Sequence, residues 1–402
     1  NEFPAEKSVV SVSDEDIDYV QACLQGAKSP VVLAGYGIRL ANAVPDFIDF
    51  IERNGLPFVT SWTASDFLPT DHPLNGGIIG VAGQRGANKI IFSSDLIVCI
   101  GGHFHLTQTS TLTNEYAPKS RKIVVNIDKD QLENLSIHTD RRIHSDARQF
   151  FEKLNKKPQN LLDIESWRNE IKDFKKLNDC ESVLKENEQG NHENINSNYF
   201  NELLTKSMPN SATIVVDGGG TALYTGFQSS TIKAGQRIIC ASAISAMGTG
   251  LPDAIGVAFA SGKEVYCIIG DGSLMLNLQE FETIAHHQLP IKVIVYNNHG
   301  YLAIKHTQQS FLDAKFCGTD PGHGISVPPI EKIAACFGID FIKVHDIDQV
   351  PTAISDITRR KGPVLVEVST FPLQPMKFQQ GYIKLADGRF APHDLSEMKP
   401  FI

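Results

Sequence analysis

Gly270-Asp271-Gly272-Ser273 and, about two dozen residues further on, Asn297-Asn298-His299-Gly300 are the stretches whose reading decides the fold. The first closes an apolar run, Glu264-Val265-Tyr266-Cys267-Ile268-Ile269, of the kind that forms a buried parallel strand. Asp271 is therefore expected at the carboxyl end of that strand, where open α/β sheets bind ligands. Asn277-Leu278-Gln279-Glu280 has the spacing of a capping box, and Leu278, Phe281, Ile284 and Ala285 share one helical face. Leu289-Pro290 stops that helix. A second apolar strand, Ile291 to Tyr296, then delivers Asn297-Asn298 to the same sheet edge, because a β-α-β crossover makes its two strands parallel.

Asp271 and Asn298 are thus predicted to bring two short oxygen side chains together beside glycine-rich backbone. Such a pair suits a hard cation holding a phosphate, since magnesium takes oxygen ligands and shares them with a diphosphate. The N–H groups of Gly272 and Ser273 would face the phosphate oxygens. Either dipeptide alone reads as a tight turn. Their spacing, with two strands and a helix between them, argues for one shared site.

This pattern resembles the cofactor motif of the thiamine diphosphate (ThDP) enzymes. The resemblance covers nearly the whole chain and is closest to the acetolactate synthase-like branch, large-subunit type. It implies ThDP and Mg2+ as cofactors, with the metal on Asp271, Asn298 and the backbone carbonyl of Gly300. Gly270, Gly272, Ser273 and Tyr301 fall in the implied cofactor-binding set. In Ser245-Ala246-Met247-Gly248, a methionine among small residues reads as a core gap-filler. The resemblance instead makes Met247 the apolar prop of the bent cofactor and gives the Ser245 carbonyl the cofactor's amino group.

The totals fit two domains: 402 residues, 42% apolar, 21% charged, net charge −9. The acidic balance argues against nucleic acid or an anionic membrane as partner. Seven scattered cysteines without CxxC spacing read as buried thiols, and no apolar stretch reaches membrane-spanning length. A cytoplasmic location is the expectation.

In chain order, residues 1–13 read as a connecting strap. Residues 14–155 alternate helix and strand: a helix capped at Ser13, strand 30–34, helix 44–54, strand 56–60, helix 86–93, strand 95–100, and a last strand at 122–128. Their loops, Gly35-Tyr36-Gly37, Thr60-Ser61-Trp62, Gly80-Val81-Ala82 and Gly101-Gly102-His103, resemble the central domain whose loops hold FAD in acetolactate synthases. The same glycines also suit plain strand-to-helix turns. His103-Phe104-His105-Leu106 stands where the family places a charged loop, and its histidines read as loop or core residues.

Residues 156–198 shift to Lys and Glu and read as a charged helix and linker. Residues 199–370 form a second α/β unit, the diphosphate-binding domain: a helix from Tyr199 to Ser207, strand 212–216, the two strands above and a closing strand at 361–368. After strand 212–216, Asp217-Gly218-Gly219-Gly220-Thr221 lets backbone approach an anion, and Gly219, Gly220, Thr221 and Ala222 are assigned to the diphosphate. The tail, 371–402, is expected to pack over a surface. The fold class expected is therefore α/β, with two doubly wound parallel-sheet domains.

By resemblance the reaction is decarboxylation of a 2-oxo acid, pyruvate, with carboligation to a second carbonyl. In the family an earlier pyrimidine-binding domain carries the activating glutamate, and no residue in 1–402 matches its motif. That implies a fragment, or a separately supplied domain, working as a homodimer or homotetramer. Asn298 to Lys305 and the Pro400-Phe401 ending look most like homologues from surface-polysaccharide clusters. Thr307 stands where acetohydroxyacid synthases place tryptophan. A simple 2-oxo acid decarboxylase and a non-catalytic ThDP-binding subunit are the alternatives.

Overall fold

A computed structural model describes residues 10–111, 113–158, 162–178, 193–242 and 244–398. Most of the strap, the polar linker around residues 186–192, Cys180 and the Pro400-Phe401 ending lie outside the described residues. The chain forms two compact units, one drawn from residues up to 178 and again from 378 onward, the other from the residues between.

The first unit is a six-stranded parallel sheet in the order β3-β2-β1-β4-β5-β6. Its strands are β1 Pro30–Ala34, β2 Phe58–Thr60, β3 Asn75–Ile78, β4 Leu96–Ile100, β5 Arg121–Asn126 and β6 Arg141–His144. Both faces are covered, so side-chain alternation sorts the core in two. Val32, Ala34, Val98 and Ile100 join one apolar cluster, while Val31, Leu33, Ile97 and Cys99 join the other. The strand at 122–128 is not the last, because β6 pairs with β5 at its edge. Ser13 caps Asp14–Gly26 by accepting from Asp16 N–H, and the next long helix is Val44–Asn54. Residues 378–398, expected only to cover a surface, bury Phe378, Leu395 and Met398 in the second of these clusters.

The second unit is also a six-stranded parallel sheet, ordered β11-β12-β10-β9-β7-β8. Its strands are β7 Thr213–Val216, β8 Arg237–Ile239, β9 Val265–Gly270, β10 Ile291–Asn297, β11 Asp340–Val344 and β12 Val364–Ser369. Val265, Cys267 and Ile269 of β9 pack with Ile291, Val293 and Val295 of β10 in one apolar cluster. From β7 the chain goes out to β8 on one side and returns to β9 on the other. The order therefore reverses between β7 and β9, which is where an open sheet leaves a crevice at its carboxyl edge.

The capping box expected at Asn277 does not form. The helix runs Glu280–His286 with no side-chain cap, because the Asn277 amide donates instead to the Gly248 carbonyl at 2.8 Å. It ends before Leu289-Pro290, with Gln288 in the left-handed region. Among the described cysteines, Cys23, Cys99, Cys240 and Cys267 are buried free thiols, but Cys317 and Cys336 are exposed. No described helix is long and apolar enough to cross a membrane.

Candidate active site in the second unit

Three strand tips meet at the crevice. After β9 the chain turns directly into a short helical segment, Asp271–Leu274, so Asp271 is wholly buried at the strand's end. β10 ends at Asn297, which leaves Asn298, also wholly buried, and Gly300 beside it. β7 ends at Val216, and Asp217-Gly218-Gly219 leads into the helix Gly220–Ser229.

The tips are tied together by one carboxylate oxygen of Asp271 and by the amide nitrogen of Asn298. Gly300 N–H donates to Asp271 Oδ2 at 2.8 Å, and Asn298 Nδ2 donates to Thr221 Oγ1 at 2.8 Å. Asp271 Oδ1 and Asn298 Oδ1 are left buried with no hydrogen-bond partner. Two orphaned acceptor oxygens would each be costly in a protein interior. A hard cation satisfies both, and carboxylate and amide oxygens are the kind of donors Mg2+ accepts. Burial pushes the Asp271 carboxyl up to about 7, opposed by the N–H groups of Gly272 and Gly300 and by the charge of Lys305. The residues present therefore fit a divalent cation.

A cleft lies over these groups, lined by Gly219, Gly220, Thr221, Gly270, Gly272 and Ser273 from two tips, and by Met247 and the stretch from Gly300 to Ile304. The glycines are required by close approach. A Cβ on Gly219 would sit 2.2 Å from Ser273 Oγ, and one on Gly272 would sit 2.3 Å from the Tyr301 ring. Gly300 has φ +142°, and a Cβ there would fall 1.9 Å from the Thr319 carbonyl oxygen. Backbone this bare, opening the helix Gly220–Ser229, suits a phosphate.

Of the residues singled out in the sequence, Ser245 and Ala222 do not line the cleft. Ser245 is held in the left-handed region, its hydroxyl donating to the Ser242 carbonyl, and Ala222 is buried inside its helix. Two charged groups lie inside stretches read for other reasons, Asp217 to Thr221 and Asn298 to Lys305, and were given no role of their own. Asp217 is fully buried and accepts from Gly219 N–H at 2.7 Å and Gly250 N–H at 2.9 Å, so it joins the glycine turn to the chain just beyond Met247. Lys305, 5% exposed, reaches Asp320 Oδ2 at 3.2 Å. A buried aspartate after a strand was the one available hint for Asp217.

In the first unit the glycine turns pack on one another. Gly37 N–H donates to the Gly101 carbonyl at 2.9 Å, and a Cβ on Gly35 would lie 2.2 Å from that same oxygen. Beside them, at the carboxyl ends of β1, β4, β5 and β6, opens a cleft of roughly 660 Å³. His105 caps the short helix Leu106–Thr109, and burial holds His103 below the usual histidine range. Among the described residues no cluster of His, Cys, Asp and Glu could hold a metal.

A doubly wound unit with two buried partnerless oxygens and a bare glycine turn at its switch point has the build of a diphosphate-binding domain. Residues 217–368 match the family described as thiamine pyrophosphate enzyme, C-terminal TPP binding domain, and residues 17–154 match the thiamine pyrophosphate enzyme, central domain. The chain belongs to the thiamine pyrophosphate enzymes and carries these two domains. It is 28% identical over 373 residues to the acetolactate synthase isozyme 1 large subunit of Escherichia coli (strain K12), spanning 90% of this chain and 62% of that protein. To the isozyme 2 large subunit of the same organism it is 25% identical, over 92% of this chain and 65% of that protein. To the acetolactate synthase large subunit of Lactococcus lactis subsp. lactis (strain IL1403) it is 26% identical, over 89% and 60%. The chain thus spans less than two thirds of the length of these relatives.

Proposed function

We propose that this chain is the cofactor-holding part of a ThDP- and magnesium-dependent enzyme that decarboxylates pyruvate, or a related 2-oxo acid, and joins the remainder to a second carbonyl. The observation that carries the reading is the pair of buried, partnerless oxygens, Asp271 Oδ1 and Asn298 Oδ1, beside the glycine turn. When bound, ThDP supplies the electron sink that 2-oxo acid decarboxylation requires. The rest falls to the chain's own groups. Asp271, Asn298 and the Gly300 carbonyl hold Mg2+, while the Gly219–Thr221 backbone and Ser273 receive the diphosphate. Met247 offers an apolar support in the cleft, and the Ser245 carbonyl, which lies outside the cleft lining, would have to turn toward it to accept from the cofactor's amino group. Ile244, Leu276 and Ile304 are exposed apolar side chains around Met247 and the cleft. They support a homo-oligomer in which another subunit covers the mouth. FAD, where the family holds it on the strand-tip loops, would lie against Gly37 and Gly101 at the mouth of the first-unit cleft.

Calorimetry tests the metal assignment. Wild-type protein is expected to bind ThDP only with Mg2+, and Asp271→Ala to lose that dependence together with most of the affinity. Unchanged affinity in the variant overturns the ligand assignment, and no binding by the wild type overturns the cofactor reading.

A further inference from the structure

The Gly300 turn is held by His299 N–H on Asn297 Oδ1 at 3.1 Å and Gly300 N–H on Asp271 Oδ2 at 2.8 Å, and from outside by a third contact. Thr319, in the stretch between the helices Leu302–Phe311 and Ile330–Phe337, offers its carbonyl to Tyr301 N–H at 2.9 Å. The same carbonyl is what a side chain at Gly300 would strike. The turn bearing the proposed carbonyl ligand is therefore seated against Thr319 on the side away from Asp271, and its position there depends on whatever holds that segment.

The next residue does the holding. The Asp320 carboxylate lies 3.2 Å from Lys305 Nζ and 2.7 Å from His323 Nδ1. Its backbone carbonyl accepts from His323 N–H and Ile325 N–H. Lys305 also donates to the Pro372 carbonyl at 3.1 Å, so one buried ammonium joins its own helix, the Thr319 segment and the chain that follows β12. On the other side of Thr319, the Gln308 amide makes two 3.0 Å bonds, accepting from Cys317 N–H and donating to the Cys317 carbonyl.

Lys305 does not line the cleft, so it is not placed to touch a ligand there. Lys305 is buried and Asp320 only partly so, and a pair of this kind contributes little net stability, registry being the best-attested use of such pairs. We infer that Lys305 and Asp320 are positioning residues for the cation site, their ion pair seating Thr319 and through it the Gly300 turn. This rests on the metal reading given above.

The test is Mn2+ binding in the presence of ThDP, followed by the electron paramagnetic resonance of free Mn2+. It is run on the full chain as wild type, Lys305→Met, Lys305→Arg, Asp320→Asn and Asp271→Ala, with exchange of the Tyr301 amide hydrogen measured in parallel. Outer groups that orient metal ligands typically change affinity by about 10- to 100-fold. Lys305→Met and Asp320→Asn are expected to weaken Mn2+ binding by at least about tenfold and to speed Tyr301 exchange. Lys305→Arg is expected to restore most of both. A purely structural lysine would lower unfolding resistance without an affinity loss that arginine rescues. Wild-type affinity in both Lys305→Met and Asp320→Asn overturns the inference while leaving the metal reading intact. Should Lys305→Met fail to fold, Asp320→Asn alone decides. Absence of Mn2+ binding in the wild type overturns the metal reading, and this inference with it.

Discussion

Removing the Asp217 carboxylate should show how the second unit holds its glycine turn. The side chain has no solvent exposure and accepts two backbone N–H bonds, from Gly219 at 2.7 Å and from Gly250 at 2.9 Å. Hydrogen bonds to a charged group contribute about 1.5–3 kcal/mol each, and the donors left behind are themselves in a buried turn. Releasing the buried carboxylate from its desolvation penalty offsets part of this. The net cost of Asp217→Ala is therefore about 3 kcal/mol, and that of Asp217→Asn, which keeps one acceptor, about half as much. With a urea slope of about 2–3 kcal/mol per molar, Asp217→Ala should lower the midpoint by about 1–1.5 M. Both tryptophans, Trp62 and Trp167, lie in the first unit, so their fluorescence follows that unit while far-ultraviolet circular dichroism follows both. The shift should appear in the dichroism. A dichroism midpoint within about 0.2 M of the wild type would refute the reasoning, since it would mean the two bonds are replaced without cost.

Gly300→Ala should be more damaging to binding than to folding. The left-handed φ and the Thr319 oxygen force the turn to move, so Mg2+-dependent ThDP affinity should fall by at least about tenfold in calorimetry while dichroism stays native. If FAD occupies the first-unit cleft, purified protein should show flavin absorbance that survives desalting; colourless protein that takes up no added FAD would leave Gly35, Gly37 and Gly101 as turn glycines.

The sequence alone determined the interior of both sheets. β1, β2, β4 and β5 in one unit, and β7, β9, β10 and β12 in the other, sit between neighbours and carry apolar runs legible without a partner. Of the strands it did not reveal, β3, β6, β8 and β11 are the edges of the two six-stranded sheets, and Tyr382–Lys384 and Phe390–Pro392 pair only with each other. β6 is half covered and reads Arg141-Arg142-Ile143-His144 with one buried side chain, whereas β3, Asn75-Gly76-Gly77-Ile78, is mostly buried but carries one apolar side chain among glycines. Neither has the apolar period that marks a central strand. The pairing of Asp271 with Asn298 was likewise legible, because spacing and parallel strands force their tips together. Which of their oxygens stay free was decided only by Gly300 N–H and Thr221 Oγ1, and whether Asn277 caps a helix only by the Gly248 carbonyl. Asp217 and Lys305 act through partners 33 residues away along the chain at Gly250 and 67 residues away at Pro372. Contacts that distant leave no local pattern, and only the folded chain brings them into reach.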